Sequence, residues 1–278
     1  MINDLRITTL VENSTSDTNL SAEHGLSFWI ELDGKKILFD TGQSNIVIDN
    51  AKSLGVDLST ADAIILSHGH YDHVGGLVEV LDIARDAKIY MHPAALKPKF
   101  GKKTSQAKAN GMSQTAIDAL EGREVIFTEK PTEILAGMTL TGQVPRKTDF
   151  EDVGGAFFVD QNCQIPDIIP DDQSLFIQTP KGIVIIFGCA HSGAVNILDY
   201  ISKLSGKNQF YAALGGMHLI RASDERIEKT LQAFEKYGLQ VIAPVHCTGS
   251  KAFDKFKSDF TGKCITCPVT SRLDLQEL

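Results

Sequence analysis

The chain has 278 residues, of which 42% are hydrophobic, 22% charged and 7% aromatic, with a net charge of −8 and five cysteines. This length and apolar share suit a globular protein with a sizeable core, and the acidic balance gives no footprint for a nucleic-acid partner. The N-terminus lacks the basic-then-apolar order of a signal peptide, the apolar run 183–187 is too short to span a bilayer, and an odd cysteine count suits reduced thiols; the expectation is a cytoplasmic protein with no membrane partner.

In chain order, residues 6–11 alternate as a strand and 12–19 are polar and turn-rich. Residues 27–32 and 36–40 read as strands joined by an Asp33-Gly34 hairpin turn. A short helix is expected at 50–54 and an apolar strand at 61–66, followed by Ser67-His68-Gly69-His70-Tyr71-Asp72-His73-Val74-Gly75-Gly76 and a helix starting at Leu77. Three imidazoles and a carboxylate thus occupy six residues of a strand-to-helix turn. Residues two apart on an extended chain point the same way, so His68 and His70 converge on one ion, while Asp72 and His73 face a second position close by. Such nitrogen and oxygen donors suit zinc, iron or manganese.

Further strands are expected at 88–92, 124–127 and 138–142, with a turn region at 131–137. The basic stretch from Lys97 to Lys103 reads as a solvated face or, beside a metal site in an acidic chain, as a lid for an anionic substrate, and His92 as structural. Two long segments, 93–115 and 147–172, are expected to wall the site. The second half runs strand 174–178, strand 182–187, helix 195–204, strand 210–214, helix 227–237 and strand 241–245. Ile227, Leu231, Phe234 and Tyr237 stand at helical spacing as core. Strands then helices, twice over and without a linker, suit two packed sheets flanked by helices in one domain spanning 1–278. Three later apolar runs end in Gly188-Cys189-Ala190-His191, Gly215-Gly216-Met217-His218 and His246-Cys247-Thr248-Gly249. Loops at one sheet edge collect functional groups from distant parts of a chain. Asp40, closing its strand, is either a turn residue or the acceptor of a ring N–H from a metal-bound histidine. Cys264 and Cys267 are expected to pack rather than bind metal.

The His68-x-His70-x-Asp72-His73 motif with Gly75-Gly76 resembles the signature of the metallo-β-lactamase superfamily. Together with Glu23-His24-Gly25-Leu26-Ser27, Thr141-Gly142-Gln143-Val144-Pro145-Arg146 and the three later strand ends, it is similar to that superfamily's dihydropterin-6-yl-methyl-ribofuranosyl-aminobenzene phosphate synthase-like branch. The resemblance implies an α/β (α+β) fold, a four-layer αββα sandwich of two mixed sheets. It also implies a site for two divalent ions, expected to be zinc, with iron or manganese as alternatives. His246 matches the superfamily's last histidine and is assigned to the second ion with Asp72 and His73. The usual Gly-Asp is replaced by Gly188-Cys189, so His191 is expected to supply the third imidazole of the first ion. Cys189 is a further candidate ligand and Asp172 an alternative oxygen ligand.

His218 is open to three roles, as ligand, general acid or substrate-binding group, and is ranked as facing the substrate. His24, Arg146 and Thr248 are further substrate-binding candidates. The expected activity is hydrolysis, or a hydrolase-like transfer, by a metal-activated hydroxide on a small anionic substrate, a phosphorylated molecule or phosphodiester, with Asp72 and His218 as the catalytic residues. A pterin-pathway synthase, a metabolite sensor without catalysis and a diiron redox protein are the competing expectations. An intact His70 counts against the last.

Overall fold

The computed structural model describes residues 1–102 and 106–276; Lys103, at the end of the expected basic lid, lies outside them. Where a single domain was expected, the chain divides into two compact units interleaved along the sequence. The first comprises Asp4–Thr128, Ala156–Asp171 and Cys267–Leu278, and the second Met1–Asn3, Glu129–Gly155 and Asp172–Thr266. Each holds one seven-stranded mixed sheet and its own helices.

In the first unit the strands lie in the order Arg272–Asp274, Leu5–Val11, Ser27–Leu32, Lys35–Phe39, Ala63–Ile65, Lys88–Met91 and Val125–Phe127. The Asp33-Gly34 hairpin forms as expected, with φ of 43° and 80°, the left-handed pair that a two-residue turn between twisted strands requires. From Lys35–Phe39 onward the pairing is parallel, so successive strands release their C-terminal ends at the same edge. Leu38, Ile64 and Ile89 pack with Val47, Leu77, Val80 and Leu81 of the covering helices. The helix Ile46–Ser53 begins four residues before the expected start. Its β-branched opening Ile46-Val47-Ile48 is a weak helix former, and burial of Val47 and Ala51 outweighs that.

Segments expected as open loops carry short strands. Phe157–Phe158, Phe100–Lys102 and Ala107–Ala109 form a small three-stranded sheet, and His70 bridges to Gly111 beside it. Two- and three-residue strands are too short to leave a periodic pattern. The basic lid is corrected at Lys99, which is 3% exposed. Its ammonium lies 2.7 Å from Asp171 and 3.2 Å from Asp167, while Asp171 also accepts the Gly69 N–H at 2.7 Å. Lys99 therefore braces the histidine motif from within and is not a surface cation awaiting substrate.

In the second unit the order is Lys263–Cys264, Val241–Val245, Phe210–Gly216, Gly182–Phe187, Leu175–Thr179, Met138–Leu140 and Thr132–Leu135. The last of these falls in the expected turn region 131–137, where Gly137 at φ 90° reverses the chain into Met138–Leu140. The helices Ala194–Ser205 and Asp224–Lys236 bury Ile197, Leu198, Ile201, Ile227, Leu231 and Phe234 with Ile183, Ile185 and Phe187 of the sheet. Burying one such side chain contributes about 1.5–3 kcal/mol, which makes these faces the main support of the strand ends. The helix Ser250–Asp259 was not expected. Among the described residues no helix is long and apolar enough to cross a membrane.

Replacing Lys99 with Met leaves Asp167 and Asp171 buried without their cation. Urea unfolding should show a loss of about 3–5 kcal/mol, partly recovered when Asp171→Asn is added.

Candidate metal centre

The motif in the first unit is assembled around one buried carboxylate. Asp40 follows Lys35–Phe39 with φ 59°, a left-handed conformation that Asp tolerates better than most residues. Its oxygens accept the Ser67 N–H at 2.7 Å and the Ser67 hydroxyl at 2.7 Å, and meet His73 Nδ1 at 2.6 Å. The Ser67 hydroxyl, its proton given to Asp40, lies 2.9 Å from His68 Nδ1 and accepts there. A carboxylate and an already-donating hydroxyl can only receive protons, so both Nδ1 atoms carry the hydrogen and Nε2 keeps its lone pair. That is the tautomer a metal-binding imidazole needs.

His68 Nε2 and His70 Nδ1 converge to 3.0 Å, near the roughly 3.3 Å that two nitrogens span on a tetrahedral zinc ion. Burial pushes His70 down to about 3, against an opposing pull from Asp72, so its ring is neutral at ordinary pH. The rings of His68 and His73 are 4.2 Å apart, and Phe157 packs 4.9 Å from His70. Segment 147–172 thus supplies one wall residue within this unit. Asp72, 7% exposed, lies 3.1 Å from Nε2 of the half-exposed His24, which joins it to the expected substrate-binding histidine. His92 accepts the Ala94 N–H at 3.1 Å and caps a short helical turn, a structural role.

In the second unit, Gly182–Phe187, Phe210–Gly216 and Val241–Val245 are parallel neighbours. Directly beyond their ends stand Cys189 with His191, then His218, then His246 with Cys247. Ala190, His218 and His246 have φ of 53°, 45° and 53°. Such conformations cost about 1–3 kcal/mol each and gather at functional sites. A Cβ on Gly216 would lie 2.8 Å from Cys247 Sγ and 2.6 Å from the Gly188 carbonyl, so only glycine admits this approach. His191 Nδ1 meets the Val153 carbonyl at 2.8 Å, an acceptor that again leaves Nε2 as the ligand atom. The His191 and His218 rings are 4.3 Å apart.

Cys247 was not expected from sequence. Its Sγ lies 3.3 Å from that of Cys189 and accepts the His218 N–H at 3.3 Å. Ligand atoms of Cys189, His218 and Cys247 all lie within 4.8 Å of one another. Burial raises the Cys247 thiol, but the Cys189 hydrogen bond and charge at His246 and His218 hold it well below the ordinary value. The only advance sign was its position one residue after His246.

Arg146, expected to bind substrate, donates from Nη1 to the His191 carbonyl at 2.6 Å and so holds that strand end. Thr248 is 2% exposed; its hydroxyl accepts the Met217 N–H at 3.1 Å and donates to the Val245 carbonyl at 2.8 Å. It ties two strand ends together rather than offering a group to a substrate. Asp172, the alternative ligand, is 1% exposed and accepts the Ser192 N–H at 2.8 Å through Oδ2, while its buried Oδ1 has no hydrogen-bond partner among the described residues. Burial raises the Asp172 carboxyl above its usual range, despite its bond from Ser192 and the nearby Arg146.

Two outcomes follow from these contacts. Asp40→Asn would place an amide N–H against His73 Nδ1, move the ring proton to Nε2 and occupy the ligand lone pair. Chelator competition should show metal affinity reduced about 10–100-fold with the far-UV spectrum unchanged. His70 is neutral when folded down to about 3 but titrates at about 6.5 when unfolded, so the unfolded chain binds the extra proton between these values. Its contribution to stability is complete above about pH 6.5 and fades as pH falls toward about 3. In metal-depleted protein, His70→Asn should flatten that acid limb of the melting curve.

The family model of the Metallo-beta-lactamase superfamily matches residues 20–162. A Methanocaldococcus jannaschii protein named 7,8-dihydropterin-6-methyl-4-(beta-D-ribofuranosyl)-aminobenzene-5'-phosphate synthase is 34% identical over 276 residues, covering 93% of this chain and 94% of its own. The crystal structure of Tm1679, a metal-dependent hydrolase of the beta-lactamase superfamily, is 33% identical with a TM-score of 0.82, over 97% of this chain and 98% of that one. Zn2+-bound PqqB from Methylobacterium extorquens shares the fold at 15% identity and a TM-score of 0.58, over 97% and 100% of the two chains. With that kinship across nearly its whole length and histidines at the strand ends of both sheets, the chain belongs to the metallo-β-lactamase superfamily.

Proposed function

We propose that the protein is a metal-dependent hydrolase, or hydrolase-like transferase, acting on a phosphorylated small molecule or phosphodiester. The observation that carries this is the fixed tautomer of His68 and His73: Asp40, directly and through Ser67, keeps both Nδ1 atoms protonated and both Nε2 lone pairs available. The proposed ligands are His68, His70 and His191 for one ion and Asp72, His73 and His246 for a second, with Cys189 as the candidate sulfur ligand where the superfamily's usual Gly-Asp is replaced. Zinc is the metal that this mixed donor set fits, with iron or manganese as alternatives. When bound, a divalent metal would lower the pKa of water from far above neutrality toward about 7 and polarise the substrate oxygen.

The chain's own residues do the rest. Asp72, steadied by His24 at 3.1 Å, orients the attacking water. His218, held on a strained strand end by the contact of its N–H with Cys247 Sγ, donates the proton that the leaving oxygen takes. Gly154 presses on the His218 ring so closely that a Cβ there would fall 1.9 Å from Cδ2, which sets the ring's direction. The 34% identity with the Methanocaldococcus jannaschii synthase across 93% of the chain supports a second reading, a pterin-pathway synthase using the same centre.

Metal-loaded protein should turn over an activated phosphodiester such as bis(p-nitrophenyl) phosphate. His70→Ala should lower kcat/KM by about 100-fold or more, with a matching loss of bound metal by elemental analysis, since a lost ligand removes both binding and transition-state stabilisation. Full metal content and full turnover in His70→Ala would sink the hydrolase reading. Turnover confined to a pterin and a phosphorylated ribosyl donor would favour the synthase.

A further inference from the structure

Beside His218, within the second unit, lies a cavity of about 420 Å³ lined among others by Asp152, Gly154, His218, Arg221, Ser223 and Arg226. That volume falls in the range of small-molecule sites, about 300–1,000 Å³. Arg226 is the unusual member. It is 4% exposed, and its Nη1 donates to Asp152 Oδ1 at 2.6 Å, yet Nε and Nη2 are buried with no hydrogen-bond partner among the described residues. These two nitrogens form one edge of the guanidinium, the side-on fork whose parallel N–H bonds match two oxygens of a phosphate or carboxylate. A buried cation with that edge unfilled is costly. Local folding does not explain it, because Ser223 caps the helix through the Arg226 backbone N–H and leaves the side chain out of that role.

The surroundings favour a tetrahedral, multiply charged oxyanion. Arg221 is an exposed second cation on the same cavity, and the Ser223 hydroxyl stands at the rim. Asp152 offsets only part of this charge, since its side chain is 79% exposed and well hydrated. Arg146 is near enough to Arg226 for the two charges to repel, although Asp172 and Glu151 offset the Arg146 charge more strongly.

We propose that this cavity is the phosphate subsite of the substrate: Arg226 grips a phosphomonoester group side-on, Arg221 closes on it from the rim, and the attached group extends past His218. The inference rests on the proposed hydrolytic role for where the substrate points, but the anion site itself stands apart from that role. It selects phosphomonoesters over neutral analogues.

The test is titration of the full-length protein with inorganic phosphate, by calorimetry and by the shift in melting temperature, in metal-loaded and chelator-treated samples. Phosphate should bind in both. Arg226→Lys, which keeps the charge and loses the fork, should weaken it about tenfold, as expected for charge-assisted hydrogen bonds. Arg221→Gln, an exposed change that leaves folding intact, should weaken it several-fold and remove most of the phosphate-induced rise in melting temperature. Phosphate that binds only to the metal-loaded form, or equally to wild type and Arg221→Gln, overturns the subsite. Binding that survives chelation while phosphodiesterase turnover is absent upholds the subsite and rejects the hydrolase reading alone.

Discussion

The grip of Asp40 on Ser67 and His73 is the contact on which the first unit's chemistry depends. One fully buried carboxylate receives a backbone N–H, a hydroxyl and a ring N–H. Through the hydroxyl it also governs His68. A single negative charge at the end of one parallel strand therefore sets the tautomer of two imidazoles on the next turn. Its own left-handed backbone is the cost of aiming it there, offset by bonds whose loss would strand several buried polar groups. The brace from Asp171 to the Gly69 N–H, itself anchored by Lys99, holds the same turn from the other side. Side chains positioned by such bonds pay little reorganisation when a ligand arrives.

The second unit solves the same problem with backbone. Three parallel strands end side by side, and each places a histidine within a few residues of its end. The register pairing Phe187 with Gly215 and Gly216 with Val245 puts these ends at one level. Gly216 allows the neighbouring chains to approach closely, and the left-handed residues beyond the strands turn the side chains away from the ladder. Thr248 and Arg146, both expected at the substrate, hold these ends through the Thr248 hydroxyl and Arg146 Nη1. A hydroxyl or guanidinium near a site is as readily used to build it as to serve it.

The legible parts of the chain were those with a local pattern. Gly182–Phe187 and Val241–Val245 match the expected strands because each is a continuous apolar run bounded by turns. Ile227, Leu231 and Phe234 are buried as their helical spacing demands. Illegible were the short strands around Phe100 and Phe157, whose pairing partners are far apart in sequence, and the helix Ile46–Ser53, where tertiary burial overrode propensity. Lys99 misled for a related reason: a run of lysines reads as a solvated face, and nothing nearby in sequence announces Asp167 and Asp171.

By itself the sequence determined the superfamily, the two-sheet architecture and the histidines that follow apolar strands, because these depend on residue type and short-range spacing. Only the tertiary structure decided which nitrogen of each imidazole keeps its lone pair, that Cys247 sits against Cys189, that Lys99 is buried, and that one edge of the Arg226 guanidinium is buried without a hydrogen-bond partner among the described residues, in a residue that lines a cavity. Hydrogen-bond direction, burial and ion pairing are set by partners far away in the chain, 102 residues apart for Gly69 and Asp171. A local pattern carries no record of them.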